Sequence, residues 1–314
     1  MREQREAGEG AAPARNILLA LEYDGRAFAG FQAQRRGRER PTVQEVLEEA
    51  ILQTSGEVPR LVAAGRTDSG VHALGQVVNF LTRAHIPVDR WAAALNSRLP
   101  PTVRVWHSQE VPVQFHARYD AWSKVYRYRV KLGAPAGVFD TGRIWVIPEE
   151  LDVEAMARAA ALFVGRPYLR AFCAAGGKPV RDWRRRVDRC EFVADEPASE
   201  LPGGAVSVHG RSRVRPGSTQ AGQEGSGEVE VATFQRNSGH EWSLWVEAEG
   251  FLYHQVRTMM GTLVEVGRGR RTVESVAQLL NDPQARRRDA GPTAPADGLY
   301  LVAVGYPASK LSAR

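Results

Sequence analysis

Residues 64–76 read AGRTDSGVHALGQ and are the most informative part of the chain. The apolar runs on either side of the charged residues, 61–64 and 76–81, favour two short strands. The segment between them is therefore predicted to be a loop, and proteins commonly place reactive groups on loops that rigid strands support. The side chains that could carry chemistry in this loop are Arg66, Asp68 and His72.

Asp68 is the candidate for chemistry in this loop, and its neighbours allow two interpretations. A glycine follows it two positions later, so a tight turn can display its carboxylate toward a substrate. Asp and Gly also dominate ordinary turns, in which the Asp side chain bonds its own backbone as an Asx turn. The residues of the loop alone leave both interpretations open.

Outward from the loop, strand and helix patterns follow one another in both halves of the chain. Thr42 and Glu45 form a capping-box signature before a helix that Gly56 ends. Asp152 is placed to cap a helix that runs to Phe163. Further helices are predicted over 89–98, 253–266 and 272–280, and further strands over 16–23, 102–106, 124–131, 190–193, 242–249 and 299–306.

Strands mixed with helices in each half indicate an α+β fold of two related domains, with mixed or antiparallel sheets flanked by helices. We assign 15–112 to an N-terminal domain that carries the loop and 113–307 to a C-terminal domain. Residues 1–14 and 308–314 are predicted to be tails, the first of them disordered. Residues 195–240 are rich in Gly, Ser, Glu and Pro, and are predicted to be a mobile insertion because such a composition buries little apolar surface.

Composition excludes several classes of protein. The chain has 314 residues, of which 43% are hydrophobic and 25% charged, and it contains no run near the roughly 20 apolar residues that span a bilayer. The polar, charged first 15 residues lack the apolar core of a signal peptide, which favours a cytoplasmic protein. The two cysteines, Cys173 and Cys190, exclude a disulfide framework and a Cys-x-x-Cys zinc site. No pair of histidines has metal-ligand spacing on one element, so no metal is expected.

Several motifs together resemble those of the tRNA pseudouridine synthase A family. GRTDSGVH at 65–72 is similar to the motif that surrounds the family's catalytic aspartate. The other matching blocks occur in the family's order and are EYDG at 22–25, GFQAQ at 30–34, TVQ at 42–44, FHAR at 115–118, KVYRY at 124–128, FLYHQVR at 251–257 and GLYLVAV at 298–304. The chain departs from the family at the insertion over 195–240 and at Tyr253, where histidine is common.

The resemblance implies the pseudouridine synthase fold, with a basic cleft between the two domains, and an isomerase that acts on tRNA. Such an enzyme breaks the glycosidic C–N bond of a uridine, turns the uracil and forms a C–C bond, without metal or cofactor. The family modifies the anticodon stem-loop, at positions 38, 39 and 40 in tRNA numbering, and works as a homodimer. Two alternatives remain, a non-catalytic tRNA-binding or chaperone protein on the same scaffold and a hydrolase that uses the same aspartate.

The resemblance also implies roles for individual residues. Asp68 corresponds to the catalytic aspartate, the nucleophile or base that acts on the nucleoside, and Arg257 corresponds to the arginine that pairs with it. Tyr126 corresponds to the tyrosine that stacks on the target base, which suits an aromatic ring because every base has a π-face. Tyr128, two residues later, is expected in the core. Arg66 corresponds to the residue that helps to extrude the target nucleotide from its stack.

Further substrate contacts are predicted in three segments. The first matches an RNA-contacting segment of the family and consists of Phe115, His116, Ala117, Arg118 and Tyr119. A loop at 173–182 and an arginine-rich run at 181–189 extend the basic surface. Together with the net charge of +6 and the pI near 9.6 of the whole chain, these segments favour nucleic acid as the partner. A solvated basic face without a partner would have the same composition.

Overall fold

The structure is a computed structural model that describes residues 14–32, 39–176, 180–195 and 239–312. Within these ranges the strands are β1 (Arg15–Tyr23), β2 (Val62–Ala63), β3 (His72–Thr82), β4 (Val103–Val111), β5 (Ser123–Leu132), β6 (Trp145–Ile147), β7 (Val187–Ala194), β8 (His240–Ala248) and β9 (Leu299–Gly305). The helices are α1 (Val43–Ser55), α2 (Trp91–Asn96), α3 (Val153–Ala161), α4 (Gln255–Gly267), α5 (Val273–Asn281) and α6 (Ala308–Leu311).

The strands of both halves form one continuous mixed sheet. Its order is β4-β1-β3-β9-β5-β8-β7, with β2 beside β3 and β6 beside β5. The predicted α+β class is confirmed. The two predicted domains do not have a sheet each, because their strands join in a single sheet. The halves join where β3 runs parallel to β9, through the pairs His72–Tyr300 and Ala73–Leu301. This join places the loop before β3 beside the C-terminal half.

The contact between β3 and β9 depends on Gly75, which the sequence pattern places in the loop and not in the strand. Gly75 reads as a turn residue, so the strand was expected to begin at Gln76, but β3 begins at His72 and includes Gly75. A Cβ atom on Gly75 would lie 2.3 Å from the carbonyl oxygen of Val302 in β9. The glycine therefore allows two backbones to approach closely, which is a common reason for glycine inside a strand.

The caps that the sequence predicts bound α1 and begin α3. The backbone N–H of Glu45 donates to Thr42 Oγ1, and the Glu45 carboxylate accepts from the Thr42 N–H, so the capping box of α1 is confirmed. Gly56 ends this helix with φ at 74°, in the left-handed region that favours glycine. Asp152 and Thr272 cap α3 and α5 through their side-chain oxygens.

The main core lies between one face of the sheet and the helices. Ile17, Leu19 and Leu21 alternate along β1 and face this core, which also contains the fully buried rings of Trp91 and Tyr128. Burial of Tyr128 agrees with the prediction that this tyrosine packs in the core, and its hydroxyl donates to a backbone carbonyl at 2.7 Å.

A smaller cluster covers the opposite face of the N-terminal half. It includes Leu18 of β1, Val77 of β3, and two residues of the loop before β5, Phe115 and Ala117. The side-chain amide of Asn16 donates to the carbonyl of Phe115 at 3.0 Å. The loop that leads into β5 is therefore fixed against the back of the sheet.

The predicted insertion at 195–240 lies between β7 and β8, which pair antiparallel. Residues 196–238 lie outside the described ranges, as do residues 1–13 of the predicted N-terminal tail. Asp195, at the start of the insertion, forms an ion pair with Arg127 of β5 at 2.7 Å. This pair closes the end of β7 onto the sheet.

In the predicted C-terminal tail, α6 contacts two other parts of the chain. Lys310 Nζ lies 2.8 Å from Asp120, and the side chain of Gln109 donates to the carbonyl of Leu311 at 3.0 Å. These contacts attach the short helix to β4 and to the loop before β5. Among the helices that the structure describes, none has the length and apolar character to cross a membrane.

Candidate active site

The loop between β2 and β3 carries Asp68 on a tight turn. The N–H of Val71 donates to the carbonyl of Asp68 at 3.1 Å. Gly70 has φ at +83°, as the third residue of a type II turn requires. The carboxylate of Asp68 contacts the side chains of Arg257 and His254. Of the two interpretations that the sequence leaves open, the structure therefore favours a displayed carboxylate over an Asx turn.

Buried hydrogen bonds fix this loop against β1 and β3. Thr67 Oγ1 and the hydroxyl of Tyr23 lie 2.8 Å apart, and the side-chain amide of Gln76 donates to the carbonyl of Gly65 at 3.0 Å. Burial raises the pKa of Tyr23 to about 12, so its hydroxyl stays protonated at neutral pH. The backbone on both sides of Asp68 is thus held in place without a substrate.

Arg257 reaches Asp68 from the first turn of α4. Its Nη1 lies 3.5 Å from Asp68 Oδ2, although 189 residues separate the two in the sequence. Its Nε donates to the carbonyl of Ala294 at 2.8 Å, and only 16% of the side chain is exposed. The structure therefore brings the predicted pair together and gives the guanidinium a second anchor on the backbone.

His254 is a third member of the site, and sequence reasoning gave it no role in chemistry. It immediately precedes α4, and its Nε2 lies 3.2 Å from Asp68 Oδ2. The side chain is 20% exposed. The one signal in the sequence is its position three residues before Arg257, which places both side chains at the same end of a helix.

Tyr126 lies in β5, at the side of the same carboxylate. It is 8% exposed, and its ring packs edge-on against Phe251 with the centroids 4.8 Å apart. Burial, with a smaller contribution from the charge of Asp68, raises the pKa of Tyr126 above its ordinary value. The Tyr126 hydroxyl is therefore a neutral donor at physiological pH, and it lies close enough to Asp68 for the charge of that carboxylate to act on it.

Arg66 lies on the loop two residues before Asp68 and has an exposed side chain. Its guanidinium makes no hydrogen bond or ion pair with another residue in the described ranges. It is not a partner of Asp68, whose contacts come from α4 and the residue before it. Arg66 is thus available to a ligand that approaches the loop.

Comparison with known proteins places this chain in a family. A family model described as tRNA pseudouridine synthase matches residues 19–120 and 218–307. The tRNA pseudouridine synthase A of Moorella thermoacetica is 40% identical over 291 residues, which span 92% of this chain and 99% of that protein. That of Thermus thermophilus is 38% identical over 299 residues, which span 95% of this chain and 99% of that protein. The chain belongs to the tRNA pseudouridine synthase family.

Residues 115–119 of this family member, the segment predicted to contact RNA, contain both buried and exposed side chains. Phe115 and Ala117 are buried in the smaller cluster, so their side chains anchor the segment and are not offered to a ligand. Arg118 and Tyr119 are exposed, and His116 is half-buried. The rings of His116 and Tyr119 stack with their centroids 4.2 Å apart. Only these last three side chains can face a substrate.

An exposed tryptophan extends this surface, and sequence reasoning missed it. Trp122 is 62% exposed, and the guanidinium of Arg186 lies over its ring at 4.4 Å from the centroid. Asp188 pairs with Arg186 at 3.0 Å and holds it there. Aromatic rings paired with arginine suit the stacking of nucleobases. A lone tryptophan before a strand motif is too unspecific a signal to predict this pair from sequence.

Asp24 is a second carboxylate near the loop, with different surroundings. Arg26 contacts it through Nη2 at 2.5 Å, Arg143 approaches at 3.2 Å, and Nδ1 of His72 lies at 3.4 Å. Hydrogen bonding to Arg26 lowers the pKa of Asp24 to about 2. Burial lowers the pKa of His72, and the His72 ring stacks on Tyr300 with the centroids 4.6 Å apart. This cluster ties the start of β3 to β9.

Proposed function

We propose that this protein isomerises uridine to pseudouridine in tRNA, with Asp68 as the catalytic nucleophile. The observation that carries the proposal is a carboxylate, 31% exposed and 3.5 Å from the guanidinium of Arg257, in a member of the tRNA pseudouridine synthase family. The relatives that match over more than nine-tenths of the chain bear the name tRNA pseudouridine synthase A.

The pairing of Asp68 with Arg257 suits a carboxylate that must act as an anion. Opposite charges a few ångströms apart attract more strongly in a partly desolvated site than in bulk water. An anionic carboxylate can act as a covalent nucleophile toward a nucleoside. Because Arg257 is also anchored at Ala294, the charge that stabilises Asp68 is in place before the substrate arrives.

Tyr126 is proposed to receive the target base. An aromatic ring beside the carboxylate can stack on uracil, and stacking tolerates the rotation that the base must undergo. Since the pKa of Tyr126 is raised, its hydroxyl serves as a neutral hydrogen-bond donor and not as a phenolate base. The same site therefore offers an anion for the reaction and a plane for the base.

All non-hydrogen atoms of the product come from the substrate nucleoside in the proposed reaction. The C1′–N1 bond of uridine breaks, a C1′–C5 bond forms, and the proton that C5 loses is matched by the proton that N1 gains. Uridine and pseudouridine are isomers, so the conversion consumes no oxidant, reductant or group donor. The task of the protein is to extrude, hold and turn the base.

The exposed side chains around the site support tRNA as the substrate. Arg66 stands beside Asp68 and can fill the gap that an everted base leaves, which offsets part of an unstacking cost of about a few kcal/mol. Arg118, Tyr119 and the Trp122–Arg186 pair supply cationic and aromatic groups. Contacts of the cationic groups with phosphates give affinity that depends on salt.

The family resemblance supports three finer proposals. We propose that the target uridines lie in the anticodon stem-loop, at positions 38, 39 and 40 in tRNA numbering, that the protein acts as a homodimer, and that it works in the cytoplasm, where tRNA is found. Light scattering with and without tRNA tests the dimer, since a monomer in both samples would contradict it.

Modification mapping tests the central proposal. Unmodified tRNA is incubated with the protein, treated with a reagent that labels pseudouridine, and analysed by mass spectrometry, because uridine and pseudouridine have the same mass. We expect labelled sites in the anticodon stem-loop. Unchanged tRNA that still binds the protein would favour the chaperone alternative, and abasic sites would favour the hydrolase. Either result would overturn the proposed isomerisation.

A further inference from the structure

His254 has an unusual backbone conformation at the point where α4 begins. Its φ is 59° and its ψ is 13°, and it is the only non-glycine residue with positive φ in the described part of the chain. A residue with a Cβ atom rarely adopts the left-handed region. Such outliers persist where the surrounding structure enforces them, and they cluster at functional sites.

Capping of the helix does not account for the His254 side chain. His254 occupies the N-cap position of α4, but its side chain makes no capping hydrogen bond. Its backbone carbonyl accepts from the N–H of Thr258 at 2.9 Å, so the helix begins regularly without the imidazole. The side chain is directed instead to Asp68, with Nε2 at 3.2 Å from Oδ2.

The two side chains that contact Asp68 lie against the same carboxylate oxygen. Both Nε2 of His254 and Nη1 of Arg257 lie nearest to Oδ2, at 3.2 and 3.5 Å. Oδ1 accepts no hydrogen bond from any residue that the structure describes. Two contacts on one oxygen fix the rotation of the carboxylate, and the other oxygen is left for a substrate.

The imidazole of His254 is itself held in place. Its ring stacks on the ring of Tyr253, with the centroids 3.9 Å apart and the planes inclined by 28°. The carbonyl of Tyr253 accepts from the N–H of Ala174 at 3.0 Å, which attaches this turn to the loop before β7.

We propose that His254 is a positioning residue for Asp68: together with Arg257 it holds Oδ2, so that Oδ1 is the oxygen that faces the nucleoside. The inference rests on the proposed function, because it assigns a role within the proposed reaction. Hydrogen bonds to a catalytic group commonly tighten when the substrate binds. Loss of the contact lets the carboxylate rotate, and small misplacements of a reacting group reduce rates strongly.

Three substitutions separate the side-chain contact from the backbone conformation. The side-chain nitrogen of Gln in His254→Gln stands near the position of Nε2, but Gln fits the left-handed region poorly. The variants His254→Asn and His254→Gly tolerate the left-handed conformation. In neither variant is the side chain long enough to reach Oδ2 of Asp68. If the contact of the imidazole with Asp68 determines the conversion rate, the Gln variant should be the fastest of the three. If the left-handed backbone turn determines it, the Asn and Gly variants should be faster than the Gln variant.

We expect single-turnover conversion by His254→Asn and His254→Gly to be slower than wild type by about 10- to 100-fold, with the Gln variant faster than both by about tenfold. The Kd for unmodified tRNA should stay within about threefold of wild type for all three, because phosphate contacts supply most of the affinity. Asn and Gly variants as fast as the Gln variant would overturn the proposal. A rate loss matched by an equal loss of tRNA affinity would also overturn it.

Tyr253 offers a second, independent variant pair. Tyr253→Phe keeps the ring that stacks on His254, whereas Tyr253→Ala removes it, so only the Ala variant should slow the single-turnover rate. Equal rates for the two variants would contradict the bracing of His254 by stacking. Wild-type protein serves as the reference in each assay: absence of pseudouridine with wild type refutes the proposed function, whereas active wild type with indistinguishable His254 variants refutes this inference alone.

Discussion

Asp24 and Asp68 are two carboxylates that each lie beside an arginine and a histidine, yet they are held in different ways. Asp24 pairs with Arg26, two residues away in the sequence, whose Nε contacts both of its oxygens at 2.9 and 3.1 Å. Asp68 pairs with Arg257, 189 residues away. The contacts of Asp68 with His254 and Arg257, at 3.2 and 3.5 Å, both end on Oδ2.

The difference shows how the same residue types give a structural pair or a reactive group. Both oxygens of Asp24 are engaged by close, charge-assisted hydrogen bonds, and bonding to Arg26 lowers the pKa of Asp24 to about 2. Such a carboxylate has little capacity left for a substrate. Asp68 is held through Oδ2 by groups that are themselves anchored elsewhere, and no residue in the described ranges donates to its Oδ1. The number and length of the contacts separate the two sites.

The largest effect that this comparison predicts is the loss of catalysis in Asp68→Asn. Asn keeps the shape of the side chain but lacks the negative charge, so we expect conversion of tRNA uridine to fall by more than about 10³-fold. Affinity for tRNA at low salt should change by less than about threefold, because phosphate contacts dominate it. Single-turnover assays and filter binding measure the two quantities.

The matched control for that variant is Asp24→Asn, which removes the same charge from the structural carboxylate. We expect its turnover, per mole of folded protein, to remain close to wild type. An Asp24→Asn protein as inactive as Asp68→Asn would break the distinction between the two carboxylates. Near-normal turnover in Asp68→Asn would refute the proposed mechanism.

A smaller loss is expected for Arg257→Lys. Lysine keeps the charge, but its single ammonium on a flexible stem cannot hold Asp68 and the carbonyl of Ala294 through two fixed nitrogens. We therefore expect kcat to fall by about 100-fold with little change in KM. Steady-state kinetics on unmodified tRNA measure both. A higher KM at constant kcat would mean that Arg257 binds the substrate and does not hold Asp68.

Local sequence signals predict most elements of the fold, because caps and apolar alternation act over a few residues. Thr42, Glu45 and Gly56 define α1 in the sequence as they do in the structure. The join of the two halves is not visible in this way. It consists of two residue pairs between β3 and β9, and it needs Gly75 for a close backbone approach that the sequence cannot distinguish from a turn.

The candidate site is predicted only in part, for a similar reason. The loop residues alone leave Asp68 open to two interpretations, and the family resemblance supplied Arg257 and Tyr126 as its companions. His254 was not assigned because its contact depends on a left-handed turn before α4, and the sequence does not show which residue adopts that conformation. Burial of Phe115 depends on packing against the back of the sheet, so a segment that resembles an RNA-contacting motif contains core residues.

Arg66 extends the comparison, because each carboxylate has an arginine two residues away in the sequence. Arg26 pairs with Asp24, whereas Arg66 forms no pair with Asp68 in the described part of the chain. We expect Arg66→Ala to slow conversion by about tenfold while the Kd for tRNA changes less, since the side chain is proposed to replace the extruded base in the stack. A tRNA with the target uridine in a mismatch should recover much of the rate, because extrusion is then less costly. Equal losses of rate and affinity on both substrates would contradict this role.

The smallest predicted effect is the contribution of Asp24 to the free energy of unfolding. The pH dependence of this contribution follows from the direction in which the pKa of Asp24 is shifted. The pKa of Asp24 is lowered from 3.8 to about 2 in the folded protein, so its contribution is fully present above about pH 4 and is lost as the pH falls toward 2. For a carboxylate that is partly exposed to solvent, we expect about 1 kcal/mol. The melting temperature of Asp24→Asn should therefore lie a few degrees or less below wild type at neutral pH, with the difference shrinking in acid as far as the protein stays folded. Thermal melts of both proteins across that range measure it, and a difference that grows on acidification would show that Asp24 is not held as an anion by Arg26.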